Sequence, residues 1–117
     1  MPYVDKENLA DYSAGLRARL YRTVSAPFTV DGWASADGKY TQSKTVANSG
    51  AFTIKNVLPP LTTQTGNDAT DATKRRNLGY IARAKAEFVV TASNITVKIT
   101  ADTKPDCDLD VTWYLEV

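Results

Sequence analysis

The sequence contains no histidine. That absence removes the commonest general base, the commonest metal ligand and every nucleophile activated by imidazole. Cysteine occurs once, as Cys107, so no internal disulfide can form and no cysteine-rich metal cage can be built; Cys107 reads as a turn residue without a redox role. Neither sign of charge dominates. Fourteen basic and 13 acidic side chains leave a net charge of +1, which gives no bulk attraction for nucleic acid, an acidic substrate or an anionic membrane. No stretch approaches the roughly 18 apolar residues needed to cross a bilayer. Met1-Pro2-Tyr3-Val4-Asp5 lacks the basic-then-apolar pattern of an export signal, so the expectation is synthesis in the cytoplasm without export. No glycine-rich phosphate loop and no carboxylate pair set among apolar residues is found. The chain is therefore expected to be non-catalytic and to need no cofactor.

What is present is the material of one domain. The chain has 117 residues, 43% of them apolar, and a domain of that length buries about two thirds of its unfolded surface. Asp5 to Arg22 predicts a helix. Asp5 can cap it, Glu7 suits its first turn, and Arg17, Arg19 and Arg22 suit its last turns. Leu9, Tyr12, Leu16 and Leu20 recur at three- and four-residue steps and make one narrow apolar stripe. Gly15 weakens such a helix by about 1 kcal/mol relative to alanine, and a lone helix of this length is marginal in water. The stripe must pack on its own domain or, as a short coiled-coil seam, on other copies. Residues 1–24 are thus read as an assembly segment and residues 25–117 as a β-rich domain.

After Pro27, the turn signals Asp31-Gly32 and Asp37-Gly38 bracket Trp33. A strand follows with Tyr40, Gln42, Lys44 and Val46 on one face and Thr41, Ser43 and Thr45 on the other. Phe52 and Ile54 open a further short strand, and Leu58-Pro59-Pro60-Leu61 must be extended at a sheet edge. The threonine-rich loop Thr62 to Ala69 leads to a second helix, capped by Asp68 or Asp71 and running to about Lys85, with Leu78, Ile81, Ala82 and Lys85 inward. The last third is clearest. Phe88, Val90 and Ala92 alternate, then Ile95, Val97, Ile99 and Ala101, then Leu109, Val111, Trp113, Leu115 and Val117, with polar residues between them. Six or seven antiparallel strands, an inserted helix and an N-terminal amphipathic helix predict an α+β, β-sandwich-like fold.

Three groups are candidates for contact or chemistry. Asp102, Asp106, Asp108 and Asp110 surround a turn and are the right material for Ca²⁺, but no glycine follows where a calcium loop needs one; they read as a solvated turn, and no metal is expected. Lys74, Arg75 and Arg76 stand early in the second helix, an unfavourable place for positive charge unless partnered. Salt bridges within the domain or across a subunit boundary explain them better than nucleic acid does. Trp33, Tyr40 and Tyr114 are the aromatics open to surface contact, Tyr114 above all because it alternates out of phase with the core.

From Trp33 onward these pieces, in order, resemble a module of phage and prophage structural proteins from Gram-positive hosts. The pieces are Trp33 by its turn, Gly38-Lys39-Tyr40-Thr41-Gln42, Tyr80-Ile81-Ala82-Arg83-Ala84, Ile95 to Ala101, Lys104-Pro105, and Leu109-Asp110-Val111. Tyr3 to Leu9 is similar to the short N-terminal helices of such proteins. The chain departs from the pattern in its longer loop, Thr62 to Thr73, and in having Leu78 or Tyr80 where the second helix usually carries Trp. The resemblance implies a virion component of tail, baseplate or fibre that assembles with itself, as a trimer or ring, and with other virion proteins. A capsid decoration or head-fibre protein is the nearest rival. A carbohydrate-binding module for a host surface glycan, stacking on Tyr114, Trp33 or Tyr40, is the rival from another class.

Overall fold

The computed structural model describes residues 21–117. In chain order these form β1 (Tyr21–Phe28), a 3-10 turn (Val30–Gly32), β2 (Ala34–Ala36), β3 (Lys39–Ala47), β4 (Asn56–Val57), β5 (Leu61–Thr62), α1 (Asp68–Ala82), β6 (Lys85–Val90), β7 (Asn94–Ala101) and β8 (Leu109–Glu116). All strand pairs are antiparallel. One sheet has β8 at its centre, β1 on one side and β4 and β5 on the other; the second runs β2-β3-β7-β6. The described residues are thus two antiparallel sheets with one helix, an α+β arrangement.

Alternation builds the core. Ile95, Val97, Ile99 and Ala101 of β7 and Leu109, Val111, Trp113 and Leu115 of β8 are all buried, and Val24, Ala26 and Phe28 of β1 join them. Residues from both sheets share one cluster, to which α1 adds Ile81. Trp113 is its hub: Phe28 and Phe88 each meet its ring edge-on at 5.7 Å between centroids. Gln42 is the buried polar residue on the core face of β3. Its side-chain amide donates to Thr29 O at 2.9 Å while its Oε1 accepts from Thr29 N at 3.0 Å, which fixes the turn at Val30–Gly32 against the sheet. A Cβ on Gly32 would lie 2.8 Å from that amide. Asp37 and Gly38, both at positive φ (54° and 73°), make the two-residue turn of the β2–β3 hairpin.

Several expectations are corrected. Tyr21 and Arg22 begin β1 instead of ending a helix, and β1 runs across positions 24 and 25. The rest of the expected N-terminal helix, with Leu9, Tyr12, Leu16 and Leu20, lies outside the described residues. Pro27 sits within β1. Leu58 N donates to Tyr114 O, so the even-numbered residues of β8 turn their main chain away from β1. Pro27, opposite Asp110, therefore has its missing N–H on the open edge, where it costs no ladder bond. Phe52 and Ile54 are half-buried against the core but belong to no strand. Ala92 is exposed in the β6–β7 turn. The helix cap is Asn67, whose side chain accepts from Thr70 N. The helix stops at Ala82, which is exposed, and Lys85 opens β6.

There are eight described strands because the proline pair splits one edge strand into β4 and β5. Val57 pairs with Leu115 and Leu61 with Thr112, so Leu58, Pro59 and Pro60 stand opposite only Trp113 and Tyr114. That is a β-bulge. It reverses the alternation, leaving Leu61 outward beside Thr112 and Thr62 inward beside Val111.

Candidate functional site

Most of the polar groups that the sequence offers for chemistry are bonded within the domain. Asp71, in the first turn of α1, accepts from Thr65 N at 2.8 Å, Thr65 Oγ1 at 2.9 Å and Gly66 N at 3.1 Å. These bonds, Thr65 N first, hold its carboxyl below the usual aspartate range. Fully buried Asn77 donates to Thr73 O at 2.9 Å and to Asp106 Oδ1 at 2.8 Å, and its own oxygen accepts from Asp106 N at 2.8 Å. Arg76 completes the cluster with a 3.0 Å ion pair to Asp106. The helix is thereby tied to the β7–β8 connection.

The basic triplet is not a single patch. Consecutive helical residues diverge by about 100° each: Lys74 Nζ reaches Thr63 O at 3.4 Å and Arg75 reaches Gln64 Oε1 at 3.3 Å, both in the loop before the helix, whereas Arg76 pairs with Asp106 in the β7–β8 connection. The acidic turn is dispersed as well. Asp102 pairs with Lys39, Asp106 with Arg76 and Asn77, and Asp108 Oδ1 accepts from Val30 N at 2.8 Å, while Asp110 is exposed on β8. Among the described residues no three His, Cys, Asp or Glu side chains are placed to hold a metal ion.

Two adjoining clefts meet at Lys74 and Asp108. One, of about 360 Å³, lies against Ala69, Thr70, Thr73 and Cys107; the other, of about 340 Å³, lies against Pro27, Thr29 and Asp110. Burial, reinforced by the charge of Asp106, pushes the Cys107 thiol up from its ordinary value, so little of it is thiolate at neutral pH. The clefts offer an amine and two carboxylates for polar contact.

Of the three aromatics singled out for surface contact, Trp33 is buried, 8% exposed and stacked on Phe28 at 5.9 Å. Its alternation phase was hidden by the flanking turns. Tyr40 is half-buried against the core. Tyr114 is 39% exposed on the outer face of the β1/β8 sheet. Thr23 stands directly opposite it, the hydroxyls of Ser25 and Thr112 bond at 2.7 Å beside it, and Leu61, 54% exposed, faces out opposite Thr112. An aromatic and an aliphatic side chain framed by hydroxyls suit an interface that is apolar at its centre and polar at its rim. Leu61 escaped sequence reasoning because its orientation depends on the bulge.

No protein-family model matches the chain, and comparison with curated proteins and with solved structures yields no match either.

Proposed function

We propose that the chain is a non-catalytic structural subunit of a bacteriophage particle, a tail, baseplate or fibre component that assembles with itself as a trimer or ring. In this reading it is a β-sandwich-like domain preceded by an amphipathic helix bearing Leu9, Tyr12, Leu16 and Leu20. The observation that carries the contact role is the division of labour among the described side chains. Asp71, Asn77, Arg76, Asp106 and Asp108 are spent on joining segments of the domain, while Tyr114 and Leu61 stand in water on a sheet face. The particle itself rests on the resemblance that begins at Trp33.

Size-exclusion chromatography with light scattering tests assembly. The full chain is expected to elute as a discrete oligomer and the doubly substituted Leu9→Asp, Leu16→Asp chain as a smaller species; an unmodified chain that stays monomeric when concentrated refutes it. Gold-labelled antibody on purified particles tests location: label at the tail supports the reading, label on the head favours a decoration protein, and unlabelled particles overturn both. Exposure of Tyr114 also favours a glycan-contacting face. Glycan-array binding lost in Tyr114→Ala is the expected result for that role, and Trp33, being buried, contributes no platform to it.

A further inference from the structure

A two-sheet domain has four sheet edges, and three of those in the described residues are blunted. The β1 edge carries Pro27, the β4–β5 edge is interrupted by Pro59, Pro60 and the bulge, and β2 has only three residues. These are recognised ways of preventing a strand from being added. The fourth edge, β6, is neither short nor bulged nor broken by proline, and its two charged residues, Lys85 and Glu87, pair with each other. Its six residues contain no proline, and its register with β7 runs without a break from Lys85 opposite Thr100 to Val90 opposite Ile95.

The same register identifies its free groups. Thr91 N donates to Asn94 O at 2.8 Å, so bonded pairs recur at Val89, Glu87 and Lys85, and the main chain of Ala86, Phe88 and Val90 points away from β7. No hydrogen bond to the main chain of these three occurs among the described residues outside the ladder. Beside them Val89 is 61% exposed, more than any other large apolar side chain described. On the core side, Phe88 and Val90 are only half-buried.

We propose that β6 is a strand-pairing edge whose occupant is β6 of a second copy of this chain, added antiparallel about a two-fold axis at Phe88. Three features favour a copy of itself. The free groups at 86, 88 and 90 are spaced evenly about Phe88, so the two-fold pairs Phe88 with Phe88 and Ala86 with Val90, and each outward N–H meets an outward C=O. Lys85 and Glu87 pair with each other at 3.6 Å, and this register sets Glu87 opposite Val89 of the copy, so no like charges stand directly opposite each other. The half-exposed Phe88 and Val90 would each be covered by an apolar side chain of the copy, extending the core across the axis. The outcome is one continuous eight-stranded sheet. This goes beyond assembly through residues 1–24, since it assigns a different surface and holds whether or not the assembly is a virion.

Hydrogen–deuterium exchange on the full chain, read residue by residue across a concentration series, tests it. The amides of Ala86, Phe88 and Val90 are expected to exchange on the order of 100-fold more slowly at high concentration, while those of Thr23 and Ser25 on the blunted β1 edge change little. Ala86→Pro removes an outward N–H and no ladder bond, and Val89→Lys places a charge on the edge. Each is expected to weaken self-association about tenfold or more, with cooperative melting retained as the check on folding. Amides at 86, 88 and 90 that exchange equally fast at every concentration overturn the proposal. If association persists all the same and is abolished by Leu9→Asp with Leu16→Asp, assembly by the N-terminal segment stands and the β6 contact does not.

Discussion

Asp71 shows how one side chain can belong to a loop and a helix at once. Its carboxylate is closed off by Thr65 and Gly66, and those bonds favour the charged form, so its folded-state pKa lies below the ordinary value. A depressed carboxylate stabilises the fold fully above the unfolded pKa of about 3.9, and that contribution fades as pH falls through the lower, folded value. The difference in urea midpoint between the unmodified chain and Asp71→Asn should therefore be constant from neutral pH down to about 5 and shrink in more acid solution. A difference that instead grows on acidification would show that the carboxylate is not what Thr65 and Gly66 hold. Asp71, like Asp68, reads as a candidate cap from sequence because aspartate at a helix start is ordinary helix chemistry. Its real partners lie upstream, in a loop whose path no local pattern encodes.

At the scale of elements, the helix is tied to the β-framework largely through its polar residues. Ile81 is its buried apolar anchor, while Asn77 links it to Asp106 in the β7–β8 connection. Asn77→Ala removes three hydrogen bonds and leaves Asp106 N without its partner. The expected loss is about 2–3 kcal/mol, read as a lower urea midpoint at unchanged slope. The strands were legible where alternation was strong: β7 and β8 follow it residue for residue because each has one face in the core and one in water. The helix was legible in its existence and less so in its ends. Lys85 fits the helical stripe by spacing, yet the chain has already entered β6, whose pairing with Thr100 outweighs one more helical turn. Pro27 reads as a stop signal to any local rule. Only the register with β8 reveals that its missing donor faces open solvent.

The whole molecule is organised by what its two sheets do with their surfaces. Their inner faces share the Trp113 cluster. Their outer faces share one plan: the β1/β8 sheet carries Tyr114 and Leu61 beside the bonded hydroxyls of Ser25 and Thr112, and the other sheet carries Val89 beside Thr96, whose hydroxyl bonds that of Thr45 at 3.0 Å. Exposure was legible only in part. The exposure of Tyr114 followed from its phase within β8, whereas of Lys74, Arg75 and Arg76, expected in salt bridges, Arg76 pairs with Asp106 and the other two reach neutral oxygens of Thr63 and Gln64.

The bulge at Pro59 and Pro60 also determines where the chain can change length. Deleting one residue from a strand such as β7 would turn every later core side chain toward water, and ΔThr96 is expected to abolish cooperative melting. ΔPro60 removes the one residue that has no counterpart on β8. Asn56 can still meet Glu116 and Leu61 can still meet Thr112, so the shortened chain is expected to melt cooperatively within a few degrees of the original, by about 1 kcal/mol or less. A chain that fails to fold after that deletion would show that the prolines hold the edge rather than interrupt it. If it folds, this edge is a site of slack, where a residue can be gained or lost without any part of the Trp113 core changing sides.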